Sequence, residues 1–232
     1  MFCIADFLRN SRTPWGYRIM HLFRLDASVR TAGSVSRALA DTAEQAWLAE
    51  HHDAVVTRRD LGLQPLPSDA WSALARAAVD PAAPPADEAR ELVDRLGAEL
   101  LAADAFLFAV PLYNWNLPAH VKTWIDLVFM HPRLGLNGDQ PLAGKPAVLT
   151  LSRGGGYGPG TPKEGWDHVT PYLRRVLGEV LGLDLHVAEA ELTLADVTPA
   201  MEPLRGLAAE SLRTGHEKAA EHGQRVAELI RV

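Results

Sequence analysis

The chain has 232 residues, 47% of them hydrophobic and 22% charged, with a net charge of −6. That size suits one α/β domain with a full core, and the acidic balance excludes a general nucleic-acid binder, which needs a basic surplus to displace counterions. The single cysteine, Cys3, excludes an intramolecular disulfide and a cysteine-based metal cluster, and it suits a reducing, cytoplasmic setting.

Residues 1–19 read as a peripheral extension ahead of the domain, which is expected over 20–232. The short apolar start Phe2-Cys3-Ile4-Ala5 is interrupted by Asp6 and Arg9, whereas a secretory signal needs an unbroken apolar stretch of about 7–15 residues. No later run approaches the roughly 18 apolar residues of a membrane span, so no membrane partner is expected. His21–Asp26 reads as the first strand. Ser34–Glu50 carries Leu39, Ala43, Ala46 and Trp47 at helical spacing. Ala54–Arg58 is a short β-branched strand, closed by Asp60-Leu61-Gly62. Residues 64–85 hold five prolines and Trp71, with one short helix expected between Ser68 and Ala78.

Ala86–Ala103 is the clearest helix. Ala89, Leu92, Val93, Leu96 and Leu100 form its apolar stripe, and Asp87, Glu88, Glu91 and Asp94 load its start, where the helix dipole favours anions. Ala105–Val110 is an unbroken apolar run, as a strand covered on both faces requires. A helix is expected from Pro118 to Met130, a strand over Ala147–Leu151, a helix from Tyr172 to Leu183, a strand over Leu185–Ala190 and a closing helix from Leu204 to Arg231. This βαβαβαβαβα alternation predicts a doubly wound, flavodoxin-like parallel sheet of five strands in the order 2-1-3-4-5, with helices on both faces.

Three polar loops follow strand ends, where ligands bind in such sheets. The first, Ser28 to Ser36, offers serine hydroxyls and a helix start to a phosphate, with Gly33 allowing close backbone approach. Ser34 as a plain helix cap is the simpler alternative. The absence of G-x-x-x-x-G-K-[ST] and G-x-G-x-x-G disfavours a nucleoside triphosphatase or a dinucleotide site. In the second loop, Pro111-Leu112-Tyr113-Asn114-Trp115-Asn116, the two aromatics suit a planar ring and Asn114 its polar edge. The alternative is ordinary packing. The third, Ser152-Arg153-Gly154-Gly155-Gly156-Tyr157-Gly158, is too glycine-rich for core and suits an anion-binding nest or a flexible loop. Arg153 either screens ligand charge or pairs with an acid. Nine histidines show no metal-ligand spacing. His51-His52 suits a helix end, and His168 is either solvated or close to the ligand.

Ser28 with Ser34-Val35-Ser36, then Pro111 to Asn116 followed by Lys122 and Asp126, resembles the flavodoxin-like quinone reductase superfamily. Ser152-Arg153-Gly154-Gly155 with Thr170-Pro171-Tyr172-Leu173 narrows the resemblance to the FMN-dependent NADH:quinone oxidoreductase and azoreductase family. The resemblance covers Met20 to the C-terminus. It implies a homodimer with non-covalent FMN at the subunit boundary, held by Ser28, Ser34, Val35, Ser36, Leu112, Tyr113, Asn114, Trp115, Ser152, Arg153, Gly154 and Gly155. It also implies ping-pong two-electron transfer from NADH or NADPH to quinones and, in many members, azo compounds. The flavin carries that chemistry, so no catalytic side chain is expected.

One departure bears on the acceptor. Pro132–Leu142, usually aromatic-rich in the family, has no ring, and Val176 and Glu179 stand where phenylalanines are common. A bulkier or more oxygenated acceptor is therefore expected, with weak azo reduction. Two rival readings are a flavodoxin-like electron-transfer module and a tailoring flavoenzyme acting on a specialised aromatic substrate.

Overall fold

A computed structural model describes residues 18–136 and 138–230. Most of the expected extension, residues 1–17, lies outside the described residues, as do Asn137 of the ring-free stretch and Arg231 at the expected end of the last helix. The strands are β1 (His21–Asp26), β2 (Val55–Asp60), β3 (Ala105–Pro111), β4 (Pro146–Ser152) and β5 (Asp184–Ala190). They pair in parallel in the order β2-β1-β3-β4-β5. The helices are α1 (Val35–Glu50), α2 (Ala70–Val79), α3 (Asp87–Ala102), α4 (Ala119–Val128), α5 (Val169–Leu173) and α6 (Arg205–Leu229). Among the described residues no helix is long and apolar enough to cross a membrane.

Successive strand residues face opposite sides of the sheet, and the core divides accordingly. Phe23, Leu25, Phe106, Phe108 and Val110 face α2–α5 and pack with Trp124. The rings of Phe23 and Trp124 stack at 6.3 Å. Leu22, Leu107, Ala109 and Val148 face α1 and α6, where they meet Leu39, Trp47, Ala219 and Val226. β1, β3 and β4 are buried along their whole lengths, which accounts for the near-continuous apolar runs of β3 and β4.

Arg24, buried in the middle of β1, breaks that apolar pattern. Its guanidinium donates to Asp26 at 2.9 and 3.0 Å, to Asp41 at 2.7 Å and to Glu44 at 2.9 Å, the last two on α1. Burial would raise the Glu44 carboxyl, but hydrogen bonds from Arg58 and Arg24 outweigh it and hold Glu44 below its ordinary value. These pairs fix α1 over β1 and β2, and with it the start of the first loop.

Several boundaries differ by a residue or two from the sequence expectation, and three differences bear on the loops and their neighbours. β2 runs on to Asp60 because Arg59 and Asp60 stay in register with Leu25 and Asp26. The helix expected from Tyr172 begins at Val169, because the Asp167 carboxylate accepts the amides of Val169 and Thr170 at 2.9 and 3.0 Å; beyond Leu173 it widens into a π-helix over Arg174–Val180. The closing helix is preceded by a 3₁₀ segment, Pro199–Leu204, and becomes α-helical only from Arg205.

Candidate cofactor site

The first loop hangs from the tip of β1. Arg37 on α1 clasps Asp60 through two bonds of 2.7 and 2.8 Å and donates to the Ser28 carbonyl at 2.6 Å. Gly62 lets this happen: a Cβ there would lie 2.0 Å from the Ser28 carbonyl oxygen. Ser34 sits at the N-cap of α1 in extended conformation, yet its side chain makes no capping bond. The plain capping role is thus not the one it fills. Gly33 takes φ +66°, which a side chain rarely tolerates. Ser36 is fully buried, with its carbonyl accepting from Thr150 Oγ1 at 3.0 Å and its hydroxyl 3.5 Å from that of Ser34.

The second loop is a tight turn. Tyr113 and Asn116 exchange backbone bonds of 2.9 and 3.0 Å, and the central residues Asn114 and Trp115 have φ of +48° and +67°. Two positive φ values in a two-residue turn are the type I′ pattern. A non-glycine residue held there costs roughly 1–2 kcal/mol, less for Asn. Asn114 thus has a conformational reason for its place, while Trp115 sits against its preference, a form of strain concentrated at functional sites. The Trp115 ring is exposed and meets Trp166 edge-on at 5.7 Å. The exposed His168 is tied to this turn by its backbone amide, which donates to the Trp115 carbonyl at 3.1 Å.

The third loop is bound to both neighbours. Leu112 N donates to the Ser152 carbonyl at 2.8 Å, and the carbonyls of Arg153, Gly154 and Gly155 accept from Thr193, Leu194 and Leu192. This leaves the Gly154 and Gly155 amides without a protein acceptor among the described residues. The Arg153 guanidinium does not face a ligand. It is buried against Asp167, Glu189 and Glu191, with Nη2 2.8 Å from Asp167 and 2.9 Å from Glu189. Burial alone would raise the Asp167 carboxyl; the Thr170 hydroxyl and amide and the charge of Arg153 more than offset it and hold it low. Of the two roles open to Arg153 in sequence, pairing with acids is the one adopted.

The three loops wall two adjoining hollows. The smaller, about 130 Å³, is lined by Ser28, Arg30, Gly33, Ser34, Val35 and Ser152 among others. Its donors are the Ser34 hydroxyl, which makes no capping bond, the first amides of α1, which have no intrahelical acceptor, and Arg30, which pairs with no carboxylate among the described residues. That donor set suits a phosphate. The larger, about 690 Å³, is lined by Val29, Leu112–Trp115, Gly154, Gly155, Tyr157, Lys163, Leu194, Thr198 and Met201. Leu112, Tyr113, Gly154 and Leu194 are common to both. A phosphate cradle opening into an aromatic-walled cleft fits a mononucleotide with a planar ring. Ser36 and Arg153 line neither hollow.

The lining also includes residues that sequence reasoning passed over. Thr193, Leu194, Thr198 and Met201 follow β5, and the rule that placed three loops at strand tips places this fourth one there too. Arg30 lay inside the first loop, with nothing in its neighbours to mark it out. Among the described residues no group of His, Cys, Asp and Glu could hold a metal. His51 accepts a structural role at the end of α1, against the Ala227 carbonyl at 3.1 Å and the Trp47 ring.

The sheet order and the crevice at its strand tips define a flavodoxin-like protein with a mononucleotide-sized site. A family model described as flavodoxin-like fold matches residues 20–226. The chain is 43% identical over 206 residues to an FMN-dependent NADH:quinone oxidoreductase of Kineococcus radiotolerans, covering 87% of this chain and 97% of the relative. A protein of the same name from Streptomyces avermitilis is 39% identical, with 89% and 97% covered. The chain belongs to the FMN-dependent NADH:quinone oxidoreductase family. The fold is likewise that of an azoreductase from Bacillus anthracis, with a TM-score of 0.69 at 21% identity over 89% of this chain and all of that one. A second B. anthracis structure, an FMN-dependent NADH-azoreductase in complex with FMN, also has a TM-score of 0.69, at 16% identity over 90% of this chain and 99% of that one.

Proposed function

We infer that this protein is an FMN-dependent NAD(P)H:quinone oxidoreductase catalysing NADH + H⁺ + quinone → NAD⁺ + hydroquinone, and that azo compounds are further acceptors. The observation that carries this reading is the continuity of the phosphate cradle with the aromatic cleft through the shared walls Leu112, Tyr113, Gly154 and Leu194. FMN bound there supplies hydride acceptance from the nicotinamide and two-electron donation to the acceptor. The chain's own residues bind and orient. Ser28, Ser34, Arg30 and the amide of Val35 hold the phosphate, with Ser36 packed behind them; Leu112 to Trp115 and the amides of Gly154 and Gly155 hold the ring and its polar edge; Ser152 spaces the two. Arg153 holds the glycine loop in place from behind. The flavin carries the redox chemistry, so no protein nucleophile is assigned.

The FMN-binding unit spans 20–232, the working protein is a cytoplasmic homodimer, and the exposed Trp115–Trp166 pair beside the cleft is an apolar surface suited to a second copy. Relatives of nearly the same length, 43% and 39% identical, are named as oxidoreductases, which favours the enzyme over the electron-transfer module. Pro132–Leu142 lines neither hollow, so its lack of rings widens an acceptor site only through the dimer. The test is steady-state NADH oxidation by flavin-loaded protein with menadione, an azo dye and a polycyclic quinone. Turnover of the quinones, the polycyclic one included, with slower azo reduction supports the reading. Failure to turn over any quinone refutes it, and equal rates with all three refute the preference for bulky acceptors.

A further inference from the structure

Among the described residues, Lys163 is the only Lys or Arg side chain lining the larger cleft, in a protein of net charge −6. No carboxylate lines that cleft, and the acids near Lys163 are engaged elsewhere. Glu164 accepts the Gly160 amide at 2.7 Å. Asp167, Glu189 and Glu191 surround Arg153, and Glu191 also accepts the Tyr157 amide at 3.2 Å. Among the described residues, Lys163 therefore has no acid partner. Its ammonium lies 5.5 Å from the centroid of the Tyr157 ring, within cation–π range, and a Cβ at Gly155 would stand only 3.3 Å from it. Burial and the nearby Asp167 push the Tyr157 phenol above its ordinary value, so that ring stays neutral and brings no competing negative charge. The cleft thus combines the aromatic walls of Tyr113, Trp115 and Tyr157 with one uncompensated positive charge over the glycine loop.

We propose that Lys163 is a specificity-determining residue that selects aromatic acceptors bearing an anionic substituent, a sulfonate or carboxylate, by pairing its ammonium with that group. This rests on the oxidoreductase reading above and names the acceptor class of the same cleft. A half-buried cation facing an anion gains more than an exposed pair does, because less water screens it. The effect falls with added salt.

The experiment compares 1,4-naphthoquinone with its 2-sulfonate in flavin-loaded wild type, Lys163→Gln and Lys163→Arg. The ratio of kcat/KM for the sulfonate to that for the parent is expected to fall about tenfold in Lys163→Gln, which corresponds to roughly 1.4 kcal/mol, and to be kept in Lys163→Arg. A binding arm that needs no turnover titrates naphthalene-2-sulfonate against tryptophan fluorescence; its dissociation constant is expected to rise by a similar factor in Lys163→Gln and to depend on salt in wild type. An unchanged ratio in Lys163→Gln overturns the proposal. So does an equal loss with both quinones traced by stopped flow to reduction by NADH, since Lys163 then serves the donor. Failure of wild type to turn over either quinone would instead count against the oxidoreductase reading itself.

Discussion

The phenol oxygen of Tyr113 lies 3.3 Å from the hydroxyl of Ser28 and accepts the Val29 amide at 3.3 Å. One side chain of the second loop thereby closes the first, and the phosphate cradle and the ring cleft share it as a wall. Tyr113→Phe removes this link and keeps the ring. The loss of a hydrogen bond costs about 1 kcal/mol, so a small fall in Tm is expected, with FMN dissociation several-fold faster. Stopped-flow release of FMN measures it. A rate identical to wild type would mean that the link does not hold the site together.

Ser34 and Asn114 belong to different loops. Their simultaneous replacement by alanine should leave far-UV circular dichroism unchanged, because Ser34 makes no capping bond and Ala at the Asn114 φ of +48° costs only about 1–2 kcal/mol. The purified double variant is expected to be nearly colourless. A folded double variant with a full complement of flavin would contradict the site assignment.

Arg30 is expected to distinguish FMN from riboflavin. It lines the small hollow without a carboxylate partner among the described residues, whereas Arg37, outside that lining, is bound to Asp60. Arg30→Gln is expected to weaken FMN binding about tenfold, as loss of a charge-assisted bond to phosphate does, and to leave riboflavin affinity unchanged. Quenching of flavin fluorescence by apoprotein gives both constants. Equal weakening of the two ligands would place Arg30 away from the phosphate.

Arg153 is tested by pH. The Asp167 carboxyl is held below its ordinary value, so its contribution to stability is present above about pH 4 and is lost as pH falls through its lowered value in the folded state. Wild-type Tm should therefore drop only in strong acid. Arg153→Met leaves Asp167, Glu189 and Glu191 together without their cation, a loss of about 3–5 kcal/mol. Without Arg153 the Asp167 carboxyl is held less far below its ordinary value, so the Tm gap between the two proteins is expected to narrow as pH is lowered into the range where Asp167 protonates. A Tm gap between the two proteins that stays constant over this range would show that the cluster is solvent-screened.

Much of this was legible in the chain. The buried runs of β3 and β4 have no polar face, so both sides of the sheet had to be covered, and the alternation with helices fits the order found. The three loops were found because Ser, Asn and Gly cluster where those runs stop. Other features depend on contacts distant in sequence. The partners of Arg153 sit as many as 38 residues away, at Glu191, so its inward turn could not be read from its neighbours. The helix expected from Tyr172 starts earlier, at Val169, because the carboxylate that accepts its first amides, Asp167, lies ahead of the segment with helical spacing. Asn114 was read as a ligand group, and the positive φ of its turn adds a backbone reason that composition alone does not separate from the first.

The central claim, that one FMN is gripped where the tips of β1, β3 and β4 converge, is tested most directly by the absorption spectrum of the purified protein under anaerobic conditions. Flavin bands that bleach on addition of NADH and return with menadione, at one flavin per chain, are the expected result. Protein that is colourless and takes up no added FMN would contradict it.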